Sequence, residues 1–262
     1  MATSRWQNEI LDAVRGQGRA TIAALAASLN VSGETIRRHV RPLVDEGLLV
    51  RAHGAVALSE REPPFQRRMG VRAAAKRAIA LAVGARVPDG ASVMLDTGST
   101  TVFVAEALAA RRELTVVTNS IEIARAMVGR GDHRIYLAGG ELRPDLGAMV
   151  GPEALGFVAQ FRADLAILSA GALDPGHGVA DFHLDEARVA RAMLERADRL
   201  MVAADRSKFD LRAAVPVCPL DEIDVFVTDV PPPDAAAAAL AAAAVEVVTA
   251  VVAEPAFSLQ MK

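Results

Sequence analysis

With 262 residues the chain exceeds the usual size of one compact domain, and two domains are expected. Its 52% hydrophobic and 23% charged residues suit a well-packed soluble protein, and a single cysteine, Cys218, excludes an internal disulfide. No apolar run approaches the ~20 residues of a membrane span, and a net charge of −3 argues against a protein that coats polyanions.

A cytoplasmic protein with no membrane partner is therefore expected. The charge is uneven: residues 1–58 carry seven arginines against five acids, a surplus of +2 that leaves −5 for the remainder. A small positive module on an acidic body is compatible with a DNA reader whose contacts are few and local. Cys218 sits in the apolar run VPVCPL, which points to a buried, inert thiol.

In chain order, Trp6, Ile10, Leu11 and Val14 share one face of a first helix that Gly16 and Gly18 end. A second helix starts after Thr21, a suitable N-cap, with Leu25 and Leu29 one turn apart. The short link Asn30-Val31-Ser32 leads to a third helix, capped by Ser32 and carrying Glu34 in its first turn. Ile36, Val40, Leu43 and Val44 give its buried stripe, so Thr35, Arg37, Arg38 and Arg41 project elsewhere. Pro42 removes an amide, which predicts a bend or a looser last turn. Leu48–Arg51 and Ala55–Leu58, around His53-Gly54, predict a small wing. The charged, Pro-broken stretch at 59–72 reads as a linker between a DNA-binding domain at 1–58 and a second domain at 73–262. Lys76, Ile79 and Val83 then fall in helical register.

Beyond Ser92 the pattern alternates. Apolar runs at Ser92–Leu95, Leu114–Val117, Ile135–Ala138, Leu165–Ser169, Leu200–Ala203, Val225–Val227 and Val245–Val252 predict strands, with helices between most of them. The implied fold class is α/β: a mainly parallel sheet covered on both faces, preceded by a winged helix-turn-helix. Ligands bind beyond the carboxyl ends of such strands. There the chain places Asp96-Thr97-Gly98-Ser99-Thr100-Thr101 at a strand-to-helix turn, where outward amides, a glycine and three hydroxyl residues suit an anion. Thr118-Asn119-Ser120, Gly139-Gly140, Ser169-Ala170-Gly171 and Asp205–Phe209 close further strands, and Lys208 offers a cation.

The stretch Val31-Ser32-Gly33-Glu34-Thr35-Ile36-Arg37-Arg38, with Leu43 and Glu46–Gly54, closely resembles the DNA-binding signature of DeoR-type repressors. The resemblance implies that the third helix enters the major groove and the wing touches the backbone, with Ser32, Thr35, Arg37, Arg38, Arg41, Arg51 and His53 as the DNA-binding residues of a reader of double-stranded operator DNA. The sequence departs from the family at His39, a position usually acidic, and at Ala55, where a second glycine is common. The second half resembles the family's sensor domain, related in fold to ribose-phosphate isomerases and CoA transferases. That implies a phosphorylated sugar or polyol as effector, with the Gly98–Thr101 loop and Lys76 at the phosphate, and Asp96, Asn119 and Asp181 at the hydroxyls. Gly139, Gly140 and Lys208 complete the expected effector set. A homo-oligomer, dimer or tetramer, is expected; no cofactor is.

His177, Asp181, His183 and Asp185 cluster, but their spacing matches no standard metal site, and none is expected. The rival reading is a sugar-phosphate isomerase carrying an appended DNA-binding module. Isomerisation needs a base beside the carbonyl. Where the isomerase relatives carry an acid pair and a lysine-bearing loop, this chain has Ser169-Ala170-Gly171-Ala172-Leu173-Asp174-Pro175-Gly176. A regulator without enzymatic activity is the expectation.

Overall fold

A computed structural model describes residues 5–45, 49–52, 54–58, 63–209 and 211–251. The chain forms two units, Met1–Ala73 with Pro144–Leu146, and Ala74–Arg143 with Gly147–Lys262.

The first unit holds α1 (Arg5–Gln17), β1 (Arg19–Thr21), α2 (Ile22–Ser28), α3 (Gly33–Asp45), β2 (Leu49–Ala52), β3 (Ala55–Leu58) and α4 (Phe65–Gly70). Ile10, Leu11, Val14, Leu25, Ile36, Val40 and Leu43 form one core with Leu49 and Val56 of the wing. Each such side chain contributes about 1.5–3 kcal/mol on burial, so the helical stripes decide which face of α3 remains outside. The two caps are as expected. Thr21 accepts the Ala24 amide at 3.0 Å, and Ser32 accepts the Thr35 amide at 3.1 Å.

Three local features differ from expectation. The wing has a third strand: β3 lies between β1 and β2, antiparallel to both. Arg19-Ala20-Thr21 is too short for its alternation to register as a strand, and pairing with β3 creates it. Of the bend or looser last turn expected at Pro42, the looser turn does not occur, since α3 stays α-helical through to Asp45. Val40 and Leu43, buried on either side, offset the lost hydrogen bond. The stretch expected to be a plain linker contains α4, which buries Phe65.

The second unit runs α5 (Ala73–Gly84, its first residue in the other unit), β4 (Ser92–Leu95), α6 (Ser99–Leu108), β5 (Thr115–Thr118), α7 (Ile121–Met127), β6 (Arg134–Leu137), β7 (Glu141–Arg143), β8 (Ala148–Val150) and α8 (Pro152–Val158). It continues with β9 (Leu165–Ser169), β10 (Ala172–Asp174), β11 (Gly178–Asp181), α9 (Leu184–Leu194), β12 (Leu200–Ala203), β13 (Val215–Cys218), β14 (Val225–Thr228), α10 (Asp234–Ala242) and β15 (Glu246–Thr249). Seven strands make one sheet in the order β15-β14-β12-β9-β4-β5-β6, with every pairing parallel. Val93, Met94 and Leu95 of β4 and Ala166, Ile167 and Leu168 of β9 are fully buried, as central strands covered on both faces must be.

The strand order fixes where a ligand can enter. From β4 the chain builds outward through β5 and β6, then returns to the other side of β4 with β9. The switch point is thus the gap between the carboxyl ends of β4 and β9. Two additions are absent from the sequence pattern: the hairpin β7–β8 after β6, and the small antiparallel sheet β10-β11-β13. Cys218, in β13, is buried, and burial pushes its thiol up to about 12.

Candidate functional site

Two sites emerge, one in each unit. In the first, Ser32, Thr35, Arg37, Arg38, Arg41 and Arg51 all line one open groove of about 970 Å³. His53 lies outside the described residues. The burial of Ile36, Val40 and Leu43 turns the opposite face of α3 outward, which exposes Arg37, Arg38 and Arg41. Arg37 pairs with Glu34 at 3.2 Å and Arg41 with Asp45 at 3.9 Å along the same helix. Such exposed pairs are worth no more than about 1 kcal/mol, so a polyanion can displace them. The Ser32 and Thr35 hydroxyls bond each other at 2.9 Å, so Ser32 serves first as a cap. Arg67, Gly70 and Val71 also line the groove, and sequence reasoning had given them no role.

In the second unit, β4 delivers Asp96 and the following turn into the switch-point gap. Gly98 is the N-cap of α6 and offers no side-chain cap bond. Ser99, Thr100 and Thr101 are buried there, and their first-turn amides have no intrahelical acceptor. Thr101 turns its hydroxyl back onto the carbonyls of Asp96 and Gly98, at 3.0 Å each, which fixes the turn. Only glycine fits at position 98, because a Cβ would lie 2.1 Å from the Ser169 hydroxyl.

Lys76 comes in from α5, 4% exposed, and its Nζ donates to Ser99 Oγ at 2.8 Å. Thr97 Oγ1 donates to Asn119 Oδ1 at 2.9 Å, and Asn119 Nδ2 donates to the Met149 carbonyl of β8 at 2.9 Å. Across the gap, Asp96 accepts the Ser169 amide on both oxygens at 3.0 Å and the Ser169 hydroxyl at 3.1 Å. Burial pushes the Asp96 carboxyl up to about 7; Ser169 works against the shift, and the Asp181 charge adds to it.

The structure thus gathers Lys76, Asp96, Gly98, Ser99, Thr100, Thr101 and Asn119, with Asp181 near enough to act on Asp96. Gly139 and Gly140 lie beyond β6, two strands from β4, and Lys208 follows β12. Gly140 has a structural reason of its own, with φ of 133° and a hypothetical Cβ only 2.7 Å from the Val150 carbonyl. Sequence reasoning placed Thr97 in the turn and Ser169 at a strand end without a role for either, and left Met149 out. Ser169 stood at a strand end, a visible signal, but its pairing with Asp96 needs the sheet order. Among the clustered His177, Asp181, His183 and Asp185, His177 contacts Asp174 at 2.9 Å, Asp185 faces Arg143 and Arg188, and Asp181 accepts the His183 amide.

The hairpin β7–β8 belongs to this geometry. Met149 donates its amide to the Asn119 carbonyl at 2.9 Å, and Ile121 donates to the Gly147 carbonyl at 3.2 Å. The hairpin tip, Pro144–Leu146, groups with the first unit. There the Asp145 carbonyl accepts the Phe65 amide at the start of α4, at 3.2 Å. Among the described residues, no helix is long and apolar enough to cross a membrane.

Comparison with known proteins agrees with this division. Residues 7–62 match the family model for a DeoR-like helix-turn-helix domain, and residues 71–230 match that for the DeoR C-terminal sensor domain. The glycerol-3-phosphate regulon repressor of Escherichia coli (strain K12) is 34% identical over 88% of this chain and 93% of its own length. The HTH-type transcriptional repressor CsqR of the same organism is 33% identical, over 85% and 86%. Ribose 5-phosphate isomerase A from Methanocaldococcus jannaschii is similar to this chain at 16% identity with a TM-score of 0.38, over 51% of this chain and 53% of its own. The chain belongs to the DeoR family of DNA-binding transcriptional regulators.

Proposed function

We propose that this protein is a repressor whose hold on operator DNA is set by a phosphorylated sugar or polyol bound between the carboxyl ends of β4 and β9. The observation that carries the reading is the placement of Lys76. Its Nζ, buried and 2.8 Å from Ser99 Oγ, brings a cationic side chain to the N-terminus of α6, so that lysine and first-turn amides converge where a phosphate would bind. Asp96, Asn119 and Asp181 then face the carbon skeleton with acceptors and an amide, which suits hydroxyls. The names of the E. coli relatives support repression, and one of them makes glycerol 3-phosphate the first ester to try.

The DNA-binding role falls to Arg37, Arg38, Arg41 and Arg51, with Ser32, Thr35 and His53, on an oligomer that reads repeated half-sites. Coupling would run through Asn119, which bonds both the effector turn and the hairpin β7–β8. The effector can shift DNA affinity only by the difference in its own affinity for the two states.

An isomerase reading has one feature in its favour, since burial pushes the Asp96 carboxyl up to about 7, the range of an acid–base group. Its geometry works against a base: donation from Ser169 to both carboxyl oxygens lowers their basicity while leaving lone pairs for a hydroxyl. The test is a thermal-shift screen of the whole chain against sugar phosphates, polyol phosphates and their unphosphorylated parents, followed by a turnover assay on any ester that binds. A stabilising ester with an inert parent and no turnover is expected. Stabilisation by the parent alone, or conversion of the ester, contradicts the reading.

A further inference from the structure

The groove before α3 has a wall that the helix-turn-helix signature does not supply. Arg67, Gly70 and Val71 line it together with Arg37, Arg38, Arg41 and Arg51. Arg67 is exposed, and its Nη1 donates to the carbonyl of Asp45, the last residue of α3. That carbonyl is at the negative end of the α3 dipole, where a guanidinium is favourably placed. One bond to a neutral carbonyl leaves the charge of Arg67 intact and most of its five donors available. Arg37 and Arg41, by contrast, share their charge with Glu34 and Asp45.

The helix that presents Arg67 is anchored. Phe65 is 2% exposed, its amide donates to the Asp145 carbonyl, and the Arg68 guanidinium lies 5.8 Å from its ring centroid. A cation held on a fixed helix at the rim of an arginine-lined groove costs little ordering entropy when it meets a polyanion.

We propose that α4 is part of the DNA-binding surface and that Arg67 is a phosphate contact adjoining the recognition helix. The inference rests on the DNA-binding reading above. It assigns Arg67 a positioning contact without sequence preference, which sets the register of α3 in the groove.

The test uses the full chain and a mixed-sequence duplex of about three helical turns, followed by fluorescence anisotropy across a salt series. Wild type, Arg67→Ala and Arg67→Gln are compared. The glutamine retains a donor for the Asp45 carbonyl and lacks the charge. Expected is a severalfold loss of affinity at low salt in both variants, with the slope of log affinity against log salt reduced by about one. Unchanged slopes overturn the proposal. So does recovery of wild-type binding by the glutamine variant, which would make Arg67 only a helix cap. Tighter binding by Arg67→Ala overturns it too, because α4 would then be covering the reading face. Wild type that binds the duplex without salt dependence would overturn the DNA-binding reading itself.

Discussion

The two sites use polar groups in opposite ways. On α3 the functional side chains are exposed and bonded over three or four residues: Ser32 to Thr35, Arg37 to Glu34, Arg41 to Asp45. In the crevice they are buried and bonded over long stretches of chain. Lys76 reaches Ser99, Thr97 reaches Asn119, and Asp96 reaches Ser169 across 73 residues. An exposed arginine face gives up weak local pairs for phosphates and adapts to a long polymer. Buried, cross-braced polar groups keep their partners, and under the proposed function that fixed arrangement would discriminate between small molecules that differ by one group. The first unit thus carries an exposed, locally bonded polar face and the second a buried polar network that joins distant segments.

Substitutions can break that contrast. The largest effect is expected from Gly98→Val, whose side chain would collide with Ser169 at the tightest approach in the crevice. The sensor unit should lose about 3 kcal/mol in a denaturant titration, while the helix-turn-helix keeps its helical signal. Next comes Lys76→Met. Wild type should gain about 2.7 kcal/mol of stability from its ester at a hundred times the dissociation constant, and this variant should gain none of it. Arg38→Ala should show the reverse pattern. Its DNA affinity falls by about 1–3 kcal/mol in a gel-shift titration, with the ester's thermal shift retained. If Arg38→Ala binds DNA as wild type does, the outward face of α3 is not the reading face.

The last effect is read as a slope against pH and removes no contact outright. Asp96 has a carboxyl raised from 3.8 to about 7, so the folded state holds a proton that the unfolded chain has released. Its contribution is full below about pH 4 and is lost as the pH rises through 7, at up to about 1.4 kcal/mol per pH unit. Asp96→Asn should flatten this decline when unfolding is followed between pH 5 and 8. Equal pH slopes in the two proteins would mean that Asp96 is ionised in the folded state.

The contrast also explains what the sequence could tell. The signature of α3 and the wing is local, so caps, stripe and arginines were legible within some twenty residues. The five inner strands were legible because buried parallel strands are continuous apolar runs, and the largely exposed edge strands β6 and β15 because they too are rich in apolar and β-branched residues; Thr115–Thr118 is displaced by only one residue from the expected Leu114–Val117. The shape of the crevice was not legible. Ser169 meets Asp96 only because β9 returns beside β4, and Met149 meets Asn119 only because a hairpin of two three-residue strands intervenes. α4 escaped notice because its six residues follow two prolines and carry one buried anchor, Phe65. Where a bond joins distant segments, periodicity has nothing to register.

The measurement that tests the account most directly is DNA affinity of the full chain with and without the ester that stabilises it. Anisotropy on duplex DNA should show at least about a fivefold change with the phosphate ester and none with its parent sugar. An ester that stabilises the protein yet leaves DNA affinity unchanged would contradict the central claim, for the crevice would then bind a molecule that the reading helix never senses.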